Sequence, residues 1–221
     1  MKKFSAIILM AGSSTRYKKC KNKNLEIIKN KPVFMYSIEK FYDNKNIEKI
    51  YLVLQEKDKN KVKKYISKYK NVELVIGGST RKESVYNALK LVKTKYVIIH
   101  DGARPLIKEK YIKDCINAMR TYNGCSIGVP SKDTIKIVDN HNIVLNTTNR
   151  SNTYLIQTPQ CFNTKILLEQ HKLSKSDVTD DCMLLEQAGY SIKIIDGDYT
   201  NIKLTTKEDL DIIKLFIKKD L

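Results

Sequence analysis

The sequence lacks several features that mark whole classes of protein. Its five cysteines include no C-x-x-C pair and its three histidines are isolated from one another, which argues against a disulfide framework or a zinc ribbon. No apolar run approaches the ~18 residues that a membrane span needs. There is no internal repeat and no low-complexity linker. We therefore expect one α/β domain over residues 1–221, in a reducing cytoplasm and away from membranes.

Acidic residues are scarce beside basic ones, since 24 Asp and Glu against 41 Lys and Arg give a formal net charge of +17. Basic proteins often bind nucleic acid through its phosphates. Here the lysines are spread along the whole chain, with no arginine cluster and no interleaved aromatic stripe, so no nucleic-acid partner is expected. The same charge would attract a small, highly phosphorylated substrate. A non-enzymatic nucleotide- or nucleic-acid-binding protein remains the alternative.

The opening MKKFSAIILMAGSS resembles a secretory signal, because two lysines precede a short apolar run and small residues. Lysine-rich sequence follows at once, however, and the apolar run has the composition of a buried strand. We expect a first strand here rather than a cleaved leader.

Short apolar runs alternate with helical patterns along the first half of the chain. Runs rich in β-branched residues predict strands at SAIILMA, IYLVLQ, VELVI and KYVIIH. Apolar residues three or four apart predict helices at KPVFMYSIEKFYD, KDKNKVKKYISKY and RKESVYNALKLV. This order predicts a Rossmann-like, doubly wound, mostly parallel sheet that binds ligands beyond the carboxyl ends of its strands.

The alternation breaks after CSIGVP. The stretch SKDTIKIVDNHNIVLNTTNRSNTYLIQTPQ alternates as strands do around the turn DNHN, which predicts a β-hairpin arm over about residues 131–152. Because exposed strand edges are usually covered, we expect this arm to form a dimer contact. Helical patterns resume at TDDCMLLEQAG and at TTKEDLDIIKLFIKK, the latter opening on a threonine cap, with a strand and a lysine-bearing loop between them.

The loop after the first predicted strand is a candidate phosphate site. Gly12 permits a tight strand-to-helix turn, and the amides at Ser13 and Ser14, with Arg16 and Lys23 nearby, would hold a triphosphate. The segment matches neither G-x-x-x-x-G-K-[ST] nor G-x-G-x-x-G, so a plain turn is the alternative.

Charged residues follow other predicted strands. Asp101 comes directly after KYVIIH, where a carboxylate suits a magnesium ion beside phosphates, although a turn-capping aspartate would look the same. Arg104 suits fork-shaped bonds to phosphate, or an exposed salt bridge. Lys203 alone would be taken for surface charge.

The ordered set IILMAGSSTRY, NKN, KPV, GGSTRKESV, HDGARPL, DTIK, NRSNTYLIQTPQ, TDD and NIKLTTKEDL resembles the 2-C-methyl-D-erythritol 4-phosphate cytidylyltransferase family over residues 6–210. The combination of HDGARP, QTPQ and NIK is more specific than any one of them. The resemblance implies transfer of CMP from CTP to the substrate phosphate with Mg²⁺ as cofactor, releasing pyrophosphate, in the non-mevalonate isoprenoid pathway.

The resemblance also implies roles for particular residues. The catalytic cations would be Arg16 and Lys23, which neutralise the triphosphate, and Lys203, which approaches the α-phosphate from the far side. Asp101 would help to hold the metal. The nucleotide-binding residues implied are Met10, Ala11, Gly12, Ser13, Ser14, Gly78, Ser79 and Ser84. The substrate-binding residues implied are Asp101, Arg104, Thr134, Arg150, Thr158 and Thr179, of which Thr134 and Arg150 would be delivered across an obligatory homodimer by the arm.

The sequence departs from the family pattern at three places. Ser14 replaces a second glycine, which puts the conformation of the phosphate loop in question. Asn24 replaces a glutamine, and Asn149 an aspartate. A sister family, ribitol 5-phosphate cytidylyltransferase, shares the loops and QTPQ, but DTIK, NRSNTYLIQTPQ and HDGARP resemble the methylerythritol enzyme more closely.

Overall fold

The computed structural model describes residues 3–12, 17, 22–174 and 178–219. The strands are β1 Phe4–Leu9, β2 Ile27–Ile28, β3 Lys31–Pro32, β4 Ile47–Leu54, β5 Val72–Ile76, β6 Tyr96–Asp101, β7 Gly124–Pro130, β8 Lys136–Val138, β9 Val144–Thr147, β10 Tyr154–Asn163 and β11 Ile192–Asp196. The helices are α1 Val33–Tyr42, α2 Lys59–Ile66, α3 Arg81–Leu89, α4 Glu109–Ala118, α5 Thr164–Leu173, α6 Asp181–Gln187 and α7 Lys207–Lys219. No helix in these ranges is long and apolar enough to cross a membrane.

Within the described ranges, a seven-stranded sheet has the order β11-β7-β10-β6-β1-β4-β5. Strand β1 pairs in parallel with β4 and β6, β4 with β5, and β11 with β7. Strand β10 runs antiparallel to both of its neighbours, β6 and β7. The prediction of a mostly parallel, doubly wound sheet is confirmed. The chain passes from β1 to β4 and β5 on one side and resumes at β6 on the other, which makes the carboxyl end of β1 a switch point.

Helices cover both faces of the sheet, which explains why the central strands are apolar throughout. Ala6 and Ile8 of β1 face the cluster that contains Phe34 of α1 and Ile112 of α4. The intervening Ile7 faces the opposite cluster, formed with residues of α3, α5 and α6. Side chains alternate along a strand, so each face of β1 contributes to a separate apolar layer. These layers hold the carboxyl ends of the parallel strands in fixed relation to one another.

The arm is observed as a hairpin, with β8 and β9 paired antiparallel. Asp139 begins its turn, where Oδ1 accepts hydrogen bonds from the backbone N–H groups of His141 and Ile143, each at 2.9 Å. Large apolar side chains are exposed along the hairpin, and Leu145 is 65% exposed. Strand β10 leads from the arm into the sheet, and its pairing with β7 shifts register between Ile156 and Gln160.

Candidate functional site

A cavity of about 620 Å³ opens at the carboxyl edge of the parallel strands. It lies where β1, β4, β5 and β6 end, as the switch-point rule predicts. The residues that we predicted and that line it are Met10, Ala11, Gly12, Lys23, Gly78, Ser79, Ser84, Asp101 and Lys203. Three further predicted residues, Ser13, Ser14 and Arg16, lie outside the described residues.

Lys23 is placed by the two asparagines that flank it. The Asn22 amide donates to the carbonyl oxygen of Met10 and to Oδ2 of Asp58, both at 2.9 Å. Asn24 in turn donates to Oδ1 of Asn22 at 2.9 Å. Both asparagines are buried, so the short loop is tied to the end of β1. This accounts for the NKN motif, in which the side chains around the lysine fix the backbone that carries it.

The GGSTRKES segment packs closely against the floor of the cavity. A Cβ at Gly77 would lie 2.6 Å from Cβ of Ala11 and 2.8 Å from Oγ of Ser84. Ser84 is buried, and its hydroxyl oxygen accepts from the N–H of Gly78 at 3.1 Å. That bond uses a lone pair of the hydroxyl and leaves its proton for a ligand. Ser84 therefore both holds the glycine loop and presents a donor.

The tight turn predicted at Gly12 continues into residues outside the described ranges, but Gly12 itself is described. Its backbone is not in the left-handed region, and an added Cβ would meet no atom of the described residues within 4 Å. The protein's own packing therefore does not require glycine for a tight turn here. The open space in front of this backbone lies in the cavity, where a ligand's phosphates can approach the amides closely.

A second cavity, of about 570 Å³, adjoins the first. Four predicted substrate-binding residues line it: Asp101, Arg104, Thr158 and Thr179. The walls of both cavities include the same three side chains, Arg81, Asp101 and Lys203. The boundary between the cavities therefore consists of two cations and a carboxylate.

Asp101 is the centre of the charges at this boundary. Its Oδ2 lies 2.7 Å from Nζ of Lys203 and 3.7 Å from Nε of Arg104. Burial alone would raise the pKa of Asp101, but the positive charges of Lys203, Arg81 and Arg104 outweigh it and hold the pKa well below its usual range. The carboxylate is consequently ionised at neutral pH and fixes the cations around it.

The Thr158 hydroxyl is hydrogen-bonded to His100, which is fully buried. Burial lowers the pKa of His100 to about 4, so the ring is neutral at neutral pH. Its Nε2 lies 3.3 Å from the carbonyl oxygen of Arg104 and must carry the proton, so Nδ1 accepts from the Thr158 hydroxyl at 2.9 Å. The same hydroxyl accepts from the N–H of Asp101 at 3.1 Å. Its proton is thus used, and Thr158 can offer a substrate only an acceptor.

The loop that carries Lys203 is anchored by Asn201, which is fully buried. The Asn201 amide donates to Oε1 of Gln157 at 3.1 Å and to the carbonyl oxygen of Thr158 at 3.0 Å. The backbone carbonyl oxygen of Asn201 accepts from Nη1 of Arg104 at 2.7 Å. The NIK motif therefore consists of an anchoring asparagine and the lysine that it directs to the boundary.

Thr134 and Arg150 lie apart from the other predicted residues. Both are on the arm, both are exposed, and neither lines the two cavities of the described chain. Asn149, where the family usually has aspartate, caps the turn at Arg150–Asn152 by accepting from the N–H of Ser151 at 3.1 Å. An amide oxygen thus performs the capping here.

Among the side chains at the site that were not predicted from the sequence, three are central to its contacts: Arg81, His100 and Asn201. Each lies within a quoted motif, GGSTRKES, HDGARP or NIK, one or two residues from a residue that was assigned. The available signal was position at or after the end of a predicted strand, which applies to His100, the last residue of KYVIIH, and to Arg81, in the segment after VELVI, but cannot separate them from ordinary residues there.

A doubly wound sheet with a glycine-bearing, cationic cavity at its switch point, facing a second polar cavity, defines a Rossmann-like nucleotidyltransferase. The model of one family, 2-C-methyl-D-erythritol 4-phosphate cytidylyltransferase, matches residues 4–219. The chain belongs to this family.

Relatives of that name cover nearly the whole chain. The protein from Caldanaerobacter subterraneus is 39% identical over 97% of this chain and 99% of its own length. The protein from Clostridium beijerinckii is 41% identical over 97% of this chain and 98% of its own length. Among solved structures, 4-diphosphocytidyl-2C-methyl-D-erythritol synthase from Anaerococcus prevotii matches with a TM-score of 0.88 and 32% identity, covering 98% of this chain and 96% of that one.

Proposed function

We propose that the chain transfers CMP from CTP to 2-C-methyl-D-erythritol 4-phosphate, giving 4-diphosphocytidyl-2-C-methyl-D-erythritol and pyrophosphate in the non-mevalonate isoprenoid pathway. Membership of the family supports the reaction. The observation that carries the mechanism is the boundary of Arg81, Asp101 and Lys203 between two cavities. One cavity would take CTP and the other the sugar-alcohol phosphate.

In this reaction an oxygen of the substrate phosphate attacks the α-phosphorus of CTP. A new P–O bond forms, and the bond from the α-phosphorus to the bridging oxygen breaks, so its electron pair leaves with pyrophosphate. Both reactants are anions, so positioning and charge neutralisation supply most of the catalysis. Lys203 at the boundary and Lys23 in the first cavity are placed to neutralise this charge, and Arg16 would add to it.

The first cavity supports the predicted nucleotide contacts. The backbone at Ala11 and Gly12 would face the triphosphate, together with Ser13 and Ser14. Met10 lines the same cavity, with its backbone N–H and carbonyl already bonded to Val53 and Asn22. The donor at Ser84 and the backbone at Gly78 and Ser79 would read the cytosine edge. In the second cavity, Arg104 would bind the substrate phosphate, and Thr158 and Thr179 would meet its hydroxyl groups.

Magnesium fits this site as an ion that arrives with CTP. The described residues contain no group of three metal-ligating side chains, so the protein alone offers few ligands. Asp101 is ionised and lies at the boundary, and Mg²⁺ is commonly held by one or two carboxylates together with substrate phosphates. Bound there, it would neutralise charge on the triphosphate.

We further propose that the enzyme is a homodimer in the cytoplasm. The apolar side chains exposed on the arm need covering, and a second copy would also bring Thr134 and Arg150 to the sugar-phosphate cavity. The described cysteines, at 115, 125, 161 and 182, are free thiols, as suits a reducing compartment.

The test is pyrophosphate release from CTP with Mg²⁺, comparing methylerythritol 4-phosphate with ribitol 5-phosphate. We expect turnover with the first and its loss when the metal is chelated. Faster turnover of ribitol 5-phosphate would support the sister activity instead. A folded protein that turns over neither, and binds CTP or nucleic acid without reaction, would support a binding function.

A further inference from the structure

Arg81 lies at the site, but the roles proposed so far give it no function. It is the first residue of α3, directly after the glycine loop that approaches the proposed cytosine site. Its side chain lines both cavities, a property it shares with Asp101 and Lys203. If CTP and the sugar-alcohol phosphate occupy one cavity each, the reacting phosphorus must lie where the cavities meet. Arg81 is then a cation beside the reacting atoms.

Within the part of the chain that the structure describes, the guanidinium of Arg81 is anchored by one ion pair. Its Nη1 lies 2.7 Å from Oδ2 of Asp181, the first residue of α6. The Arg81 side chain is 28% exposed and the Asp181 side chain is fully buried. The anchored side therefore faces the interior, and the other N–H groups of the fork can point toward the cavities that Arg81 lines.

Asp181 is itself fixed by a second partner. Nε2 of His171, on α5, donates to Oδ1 of Asp181 at 3.0 Å, and both side chains are fully buried. Burial would raise the pKa of Asp181, but the Arg81 charge and the His171 hydrogen bond outweigh it and lower the pKa. Asp181 is thus ionised at neutral pH, and it cannot turn away from Arg81 without losing His171.

Stability is a weak reason for this arrangement. Replacing a buried ion pair by packed apolar residues is often neutral or stabilising, because the charges must be taken out of water. A carboxylate buried between α5 and α6 is better explained by what it holds in place. What it holds is a forked donor at the boundary, the geometry that suits two oxygens of one phosphate.

We propose that Arg81 binds the reacting phosphates at the boundary, and that Asp181, fixed by His171, positions it. This inference rests on the proposed cytidylyl transfer. Arg81 exchanges no proton and forms no covalent bond. It stabilises the charge on the phosphate oxygens as the substrate oxygen attacks and pyrophosphate leaves.

The experiment measures kcat and KM for both substrates in Arg81→Ala and Arg81→Lys, with Arg120→Ala, an exposed arginine outside the site, as the matched control. We expect Arg81→Ala to lower kcat by about 10²- to 10³-fold. Free guanidinium should restore part of that activity, because the vacated space lies at the reacting phosphates. Arg81→Lys should retain the charge and an intermediate rate, and the control should match the wild type.

The role of Asp181 is tested by combining substitutions. Asp181→Asn should lower kcat, but the double variant with Arg81→Ala should be no slower than Arg81→Ala alone, because Asp181 acts through Arg81. Losses that multiply would overturn the positioning role.

Two further results would overturn the inference: Arg81→Ala within threefold of the wild-type kcat, or a loss that neither guanidinium nor Arg81→Lys recovers. If the wild-type protein itself has no cytidylyltransferase activity, the proposed function fails and the inference with it. Activity in the wild type and in Arg120→Ala separates these cases.

Discussion

The ammonium group of Lys203 lies 2.7 Å from Oδ2 of Asp101, although the two residues belong to different loops. Both side chains border the two cavities, so this ion pair lies where the proposed substrates meet. Lys203 is held by the negative charge of Asp101. A phosphate that binds here is also negative and can take the place of Asp101 as its partner. Asp101 therefore holds Lys203 at the boundary between the two cavities.

Lys203→Met should lower kcat by about 10²- to 10³-fold, because a positive charge beside the reacting phosphates is lost. Because Lys203 also pairs with the buried Asp101 carboxylate, the melting temperature should fall as well, so the rates are compared well below it. Steady-state pyrophosphate release measures the effect. Lys207→Met, an exposed lysine at the start of α7, is the matched control and should keep the wild-type rate. Equal rates for the two variants would remove Lys203 from the mechanism.

Two glycines of the first cavity should respond differently to alanine. Gly77→Ala places a Cβ 2.6 Å from Cβ of Ala11, and such overpacking typically costs about 1–3 kcal/mol of the free energy of unfolding. Gly12→Ala meets no described atom and should leave that free energy unchanged, while raising KM for CTP because the methyl group enters the phosphate cavity. Urea denaturation and CTP kinetics on both variants test this. A stable Gly77→Ala protein with normal kinetics would contradict the packing.

The buried Asp181 predicts a dependence of stability on acid pH. Its folded-state pKa is lowered, since the Arg81 charge and the His171 hydrogen bond outweigh burial, which alone would raise it. The stabilisation is therefore complete above the unfolded pKa of about 3.9 and is lost as pH falls toward the folded pKa. Urea denaturation between pH 6 and pH 2.5 should show a steeper loss in wild type than in Asp181→Asn. Parallel curves would show that Asp181 titrates alike in both states.

The proposed exchange of arms predicts complementation between two inactive variants. Lys23→Ala damages the cavity of its own chain, whereas Arg150→Ala would damage the cavity of the other chain. In a mixed dimer one site keeps both residues, so random mixing should restore about a quarter of the wild-type activity. Lys23→Ala mixed with Lys203→Met is the control, because both residues line the same cavity and no intact site can form. Absence of recovery in the first mixture would place Arg150 outside a shared site.

Local patterns predicted much of the fold. The run VELVI is β5 without any change of bounds, and the predicted hairpin turn DNHN is held by Asp139. Helices α4 and α5 were not predicted, although a helix was expected on either side of them along the chain. The antiparallel course of β10 between β6 and β7 depends on pairing between distant segments, which no short window of sequence contains.

The sequence predicted which loops form the site, but it predicted fewer of the contacts between their side chains. Lys23, Ser84 and Asp101 do line one cavity, as their positions after strands suggested. The partners that hold them could not be read from the sequence. His100 bonds Thr158, and Asp181 pairs with Arg81, each across a large separation along the chain. A buried histidine or aspartate looks the same in sequence as one that is exposed, and only the fold supplies its partner.

The register shift of β10 between Ile156 and Gln160 has a consequence for how the chain can change over evolutionary time. The part of β10 before the shift follows the arm and pairs with β7 alone, whereas the part after it pairs with both β6 and β7. Substitutions, or a change of length, in the arm need not disturb the pairing of Gln160–Asn163. The arm can therefore diverge in sequence and length while the buried end of β10 stays constant.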